Sequence, residues 1–195
     1  MKPMLMNTEM VKAISAGRKS VTRQLIKPQP YNVLYNGILQ QGEIEDGEVL
    51  LTLNKDNITE MLIPPYQAGD VLYVRETWCK GSLNGGAEQY FYKADDNDFH
   101  CQWRPAIHMP KEAARIFLRV IGVRVERLQD ITVNGILQEG IDFDIETPIA
   151  SWRNFIDLWE STLKKPNIYK YGWDANPWVW VIEFERISKE EAMKN

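Results

Sequence analysis

The chain has 195 residues, 44% of them hydrophobic, which is enough for one domain with its own core. Its formal net charge of −4 argues against a protein that coats nucleic acid through counterion release, although Lys12, Arg18, Lys19, Arg23 and Lys27 gather basic charge near the start. No apolar run of about 18 residues marks a membrane span, MKPMLMNTEM does not read as a signal peptide, and two cysteines, Cys79 and Cys101, make no disulfide framework, so a reduced, cytoplasmic setting is expected.

In chain order, NTEMVKAISAG predicts a short helix. Asn7 or Thr8 caps its start, Met10, Val11 and Ile14 share a face, and Gly17 stops it in a left-handed turn. YNVLYNGILQ carries Asn36-Gly37 between apolar runs, a strong hairpin signal, and GEVLLTLN adds a strand. IPPYQAGDVLYVRETW reads as a Pro-rich loop, a Gly-Asp turn and a strand from about Val71 to Glu76. YFYKA is a strand, and DDNDFHCQWRPAIHMPKEA a surface excursion punctuated by proline.

RIFLRVIGVRVERL alternates over most of its length and predicts the longest strand, bulged at Gly122. DITVNGILQEG is a short helix closed by Gly140. SWRNFIDLWESTL spaces Trp152, Phe155, Trp159 and Leu163 along one helical face. NPWVWVIEFERI predicts an alternating strand with Trp178 and Trp180 on one side and Val179 and Val181 on the other, and the charged tail SKEEAMKN is expected to fray. The sum is a single α+β domain over 1–195, with insertions at about 31–64 and 79–112 and a small closed or curved sheet flanked by helices.

The stretch GRKSVTRQ sets Lys19 and Thr22 just past the helix-stopping Gly17. In a turn, both side chains can face one cavity. A threonine hydroxyl is a weak nucleophile that needs a base. A lysine serves as one when burial lowers its pKa from about 10.4 toward about 7–8. The plain alternative is a basic loop leading into a strand.

Glu76 and Trp78 share one face in VRETW and Arg75 the other, so Glu76 beside Trp78 can accept from an exocyclic base amine or can pair with Arg23 or Lys19. DANPWVW reads as a loop lid, with Trp173, Asp174 and Asn176 over the pocket, or as a tight turn at Asn176-Pro177. Cys79, His100, Cys101 and His108 fit no usual zinc spacing, and neither metal nor cofactor is expected.

GRKSVTRQ with its upstream helix, YQAGDVLYV and the closing WVWVIEF together resemble the ASCH domain family, over about 6–186. KPQP, VRETW, WRPAIHMP and DANPWVWVIEF are similar to its phage and prophage branch, which implies a phage- or prophage-encoded protein in a bacterial cytoplasm. The resemblance implies a PUA-like small β-barrel with flanking helices. It also implies an amidohydrolase that removes the acyl group from N(4)-acylated cytidine or cytosine, with Thr22 as nucleophile, Lys19 as base and Glu139 as acid or orienting group. Arg23, Gln24, Arg75, Glu76, Trp78, Trp173 and Asn176 are the candidates for substrate binding. The family motif places an arginine where this chain has Gln24, beside Arg23. Other members are read as RNA-binding modules, so the alternatives are a reader of single-stranded RNA or of a modified nucleobase without turnover, and a ribonuclease using the same cleft.

Overall fold

The chain opens with a short strand, β1 (Lys2–Leu5), and a helix, α1 (Thr8–Ser15). The cap of α1 is Asn7, whose Oδ1 accepts from Met10 N at 2.8 Å. Gly17 leaves the helix with φ +72°. β2 (Val21–Leu25) follows, and then five short strands, β3 (Asn32–Tyr35), β4 (Ile38–Leu39), β5 (Gly42–Glu43), β6 (Val49–Leu53) and β7 (Ile58–Leu62).

β8 (Val71–Arg75) precedes a hairpin of β9 (Trp78–Gly81) and β10 (Gln89–Tyr92), and β11 (Phe117–Arg127) is the longest strand. The helices α2 (Val133–Gln138), α3 (Pro148–Ser161) and α4 (Ile168–Tyr171), then β12 (Trp178–Ile187) and α5 (Lys189–Met193), complete the order. This computed structural model describes residues 1–30, 32–35, 38–39, 42–43, 49–53, 58–82, 86–95 and 101–194.

The main sheet runs β1-β8-β11-β12-β2, with β5 added on β11. β1 lies parallel to β8, and the other neighbours are antiparallel. The predicted bulge in β11 is a register shift between Val120 and Gly122. The predicted hairpin strands β3 and β4 pair at Tyr35 and Ile38, while Asn36-Gly37 themselves lie outside the described residues. β4-β3-β6-β7 form a second sheet within the expected insertion.

The alternation of β12 divides the core as predicted. Trp178, Trp180, Ile182 and Phe184 face one cluster with Met4, Val11, Ile14, Leu72 and Leu118. Val179 and Val181 face the other, with Val21, Ile136, Phe155 and Trp159. Helix α1 therefore covers one face of the sheet, and α2 and α3 the other. Burying such aliphatic and aromatic side chains contributes about 1.5–3 kcal/mol each, and that packing holds the helices on the sheet.

Three expectations change. The family resemblance implies a closed barrel, where the residues alone predict a closed or curved sheet; among the described residues the main sheet is not closed, with β1 and β2 as its edges and the helix α1 in the chain between them. The tail does not fray: Ser188 and Glu191 form a reciprocal capping box that starts α5 and seats the buried Ala192. Cys79 and Cys101 are joined in a disulfide, because Trp78 pairs with Arg104 in an isolated bridge that brings the two segments together. This bond removes the ground for expecting a reduced setting. Among the described residues no helix is long and apolar enough to cross a membrane.

Candidate functional site

The end of α1 and the end of α2 meet. Arg18 N and Lys19 N both donate to Ala13 O, at 2.9 and 3.2 Å. Ser20 N donates to Gln138 O at 2.9 Å, and Lys19 bridges to Glu139. Helix α2 is capped by Thr132, whose hydroxyl oxygen accepts from Gly135 N at 3.1 Å, and it ends in Gly140 at φ +86°. A Cβ on Gly140 would stand 2.6 Å from Ala13 Cβ and 3.0 Å from Lys19 Cβ. Glycine thus serves twice here, supplying the left-handed turn and the close approach.

This junction buries Lys19 against Glu139. The Lys19 side chain has no exposed surface, and that of Glu139 is 4% exposed. The ammonium donates to Glu139 Oε2 in a short ion pair, to Glu139 O at 3.1 Å and to Val21 O at 2.8 Å, so its three protons are all placed. Burial lowers the Lys19 pKa below the ordinary lysine value, against the pull of Glu139, and the nearby Arg23 adds to the lowering.

Arg23 is equally sequestered. Its Nη1 donates to Glu139 Oε1 at 3.0 Å, its Nε to Glu126 Oε1 at 2.7 Å, and Nη2 lies 2.6 Å from the same oxygen. Lys19 and Arg23 therefore divide the two oxygens of Glu139 between them. Two cations and two carboxylates fill the space between β2, β11 and the end of α2.

Thr22 stands on the opposite face of β2. It pairs with Ile182, and Gln24 pairs with Trp180, both partners belonging to the α1-covered core. The Tyr66 hydroxyl, held by the Pro3 carbonyl at 2.8 Å, interacts with the Gln24 side chain on that face. The carbonyl that Lys19 grips is that of Val21, while the Thr22 side chain turns to the other face of the strand, so the expectation that Lys19 and Thr22 face one cavity is not met.

No family model, no curated protein and no solved structure matches the chain.

The remaining sequence candidates lie elsewhere. Glu76 is buried, but its partner is Arg115, which grips it with Nε at 2.9 Å and Nη2 at 3.0 Å, and not Arg23 or Lys19. Burial raises the Glu76 pKa, against the lowering effect of Arg115. Arg115 also stacks on Tyr92, 3.9 Å from the ring centre. Trp78 packs edge-on to Tyr90 and under Arg104, with its indole N–H unpaired. Arg75 donates to Ile107 O.

Trp173 packs between Trp152 and Phe155, with ring centres 6.0 Å from each. Asn176 takes φ 43°, and its side chain accepts from Gln129 N at 2.9 Å. The DANPWVW segment is thus a tight turn and not a lid. His100 of the zinc alternative lies outside the described residues, the two cysteines are bonded to each other, and no group of His, Cys, Asp or Glu among the described residues is placed to hold a metal ion.

Two functional-looking residues do not stand out in the sequence, Glu126 and Arg115. For Glu126 a signal is present. It has the same alternation parity as Arg124 in β11 and pairs with the core residue Val179, a position where an unpaired charge is not tolerated.

Proposed function

We propose that the chain is an amidohydrolase that removes the acyl group from N(4)-acylated cytidine or cytosine, on an open PUA-like sheet of the ASCH type. The observation that carries this reading is the buried ion pair of Lys19 and Glu139, 120 residues apart, against the Val21–Thr22 peptide. A lysine that burial has made less basic is a reagent for proton transfer, and such groups concentrate at functional sites. The resemblance to the ASCH family implies the same two residues and adds Thr22.

This reading requires the start of β2 to turn when substrate binds, so that Thr22, which faces the other side of the strand, brings Oγ1 to neutral Lys19 in place of Val21 O. The hydroxyl gives its proton to Lys19 Nζ, and Oγ1 bonds the acyl carbon. The bond from that carbon to N4 breaks as Lys19 returns the proton to the leaving amine. Water then hydrolyses the threonyl ester, and the products are cytidine and a carboxylic acid. Glu139 orients Lys19 throughout. Gln24, two residues from Thr22 on one face, meets the substrate where the family places an arginine.

A second reading, a single-stranded RNA reader without turnover, is favoured by one surface. Lys27 and Lys170 flank the Tyr171 ring at 5.6 and 5.1 Å, beside the exposed Tyr169 and Lys165. Lysines supply phosphate contacts, and exposed rings stack bases. Incubation with N(4)-acetylcytidine and, separately, with single-stranded RNA decides between the two. The enzyme reading predicts cytidine release and intact, weakly held RNA. Retention of RNA with no cytidine supports the reader.

A further inference from the structure

The sheet face beneath α2 carries a row of alternating charges. It runs Lys19, Glu139, Arg23, Glu126, Arg124, Glu183, and each member touches the next. Side-chain exposure rises along the row, from 0% and 4% at Lys19 and Glu139, through 2% and 10% at Arg23 and Glu126, to 28% and 40% at Arg124 and Glu183. Strand register explains the alignment. Arg23 and Arg124 both pair with Val181, Glu126 pairs with Val179 and Val21 with Glu183, so these positions point to one side.

Arg23 is the pivot of this row. A guanidinium is planar, and fixing one edge fixes the direction of the other. Glu126 Oε1 takes the edge formed by Nε and Nη2, at 2.7 and 2.6 Å. That leaves Nη1 aimed at Glu139 Oε1, at 3.0 Å, and Glu139 Oε2 free for Lys19. Arg124 Nε lies 3.5 Å from the second oxygen of Glu126 and is itself paired with Glu183.

We propose that Glu126 is a positioning residue of the site: it anchors the Arg23 guanidinium from the far side, and so turns that group to hold Glu139 against Lys19. Its catalytic consequence rests on the amidohydrolase reading, but its electrostatic consequence does not. The four inner groups sum to zero charge, two cations against two carboxylates. Removing the Glu126 charge leaves an excess cation beside Lys19, and the Lys19 ammonium then gives up its proton more readily. Removing Arg124 at the outer end does the reverse. The charged groups that face Lys19 are Glu139 at the end of α2 and Arg23 on β2. Arg18, paired with Asp142 at 3.4 Å, lies at the surface beside them.

The test is an NMR titration of the Lys19 side chain in the full chain with labelled lysine, its signal assigned by its loss in Lys19→Met. Glu126→Gln is expected to shift the midpoint down, and Arg124→Gln to shift it up, each by about half to one pH unit at low salt. Glu126→Asp, which keeps the charge on a shorter arm, is expected to restore most of the midpoint. Arg124→Gln is a partly exposed change that leaves the buried groups in place, so it reads the same coupling if Glu126→Gln does not fold. Midpoints that stay at the wild-type value in the folded variants overturn the proposal, whatever happens to melting temperature. Opposite shifts in a protein that leaves N(4)-acetylcytidine untouched uphold the positioning role and reject the amidohydrolase reading. Turnover with unmoved midpoints does the opposite.

Discussion

Arg23→Ala tests whether the buried charges depend on one another. Arg23 is 2% exposed at its side chain and makes three short contacts, at 2.7 and 2.6 Å to Glu126 and 3.0 Å to Glu139. Its removal leaves two buried carboxylates with only part of their compensation. Glu139 keeps Lys19, and Glu126 keeps Arg124 at 3.5 Å. Breaking a buried ion pair from one side costs about 3–5 kcal/mol, and the remaining partners place this case at about 3 kcal/mol. For a chain of this size that lowers the melting temperature by about 6–12 °C. Arg23→Lys keeps the charge without the fork and should fall between the two. Circular-dichroism melts, with urea unfolding at fixed pH, read the difference. If Arg23→Ala melts within about 1 °C of wild type, the reasoning fails, because the carboxylates then do not depend on that cation.

Gly140→Ala should cost about 2–4 kcal/mol by urea unfolding, since it combines a left-handed φ with contacts of 2.6 Å to Ala13 and 3.0 Å to Lys19, and it should depress turnover by displacing Lys19. The lowered Lys19 pKa has a consequence for stability whose sign is fixed. The cost of the buried ammonium is fully present below its folded pKa, and stability rises with pH from there to the unfolded value of about 10.4, with a slope of at most about 1.4 kcal/mol per pH unit. Urea unfolding at a series of pH values should show that rise in wild type relative to Lys19→Met, which lacks it. Gln24→Arg should raise turnover of N(4)-acetylcytidine about tenfold to a hundredfold, because a charge-assisted bond of about 1.5–3 kcal/mol replaces a neutral one.

Local rules are enough to read much of this molecule. Alternation in β12 predicts which face each tryptophan takes, the caps Asn7 and Gly17 bound α1, and Gly140 ends α2. Long-range pairing is what escapes them. Only a family resemblance links Lys19 to Glu139 in the sequence; their contact depends on the close approach at Gly140, which a sequence pattern does not encode. A turn at 18–22 would aim Lys19 and Thr22 together, but β2 begins at Val21, and its alternation sends Thr22 and Gln24 to one face and Arg23 to the other. The partner of Glu76 is Arg115, 39 residues away, and the Cys79–Cys101 bond follows from a bridge between Trp78 and Arg104. The tail departs from expectation for a local reason, since Ser188 followed three residues later by Glu191 is itself a capping-box signature.

The most direct measurement compares cytidine release from N(4)-acetylcytidine by wild type, Thr22→Ala and Lys19→Met, each first shown to be folded by circular dichroism. The account predicts steady release by wild type, rising with pH as Lys19 becomes neutral, and background rates for both variants. Release by Lys19→Met at the wild-type rate, or none by folded wild type at any pH, contradicts it.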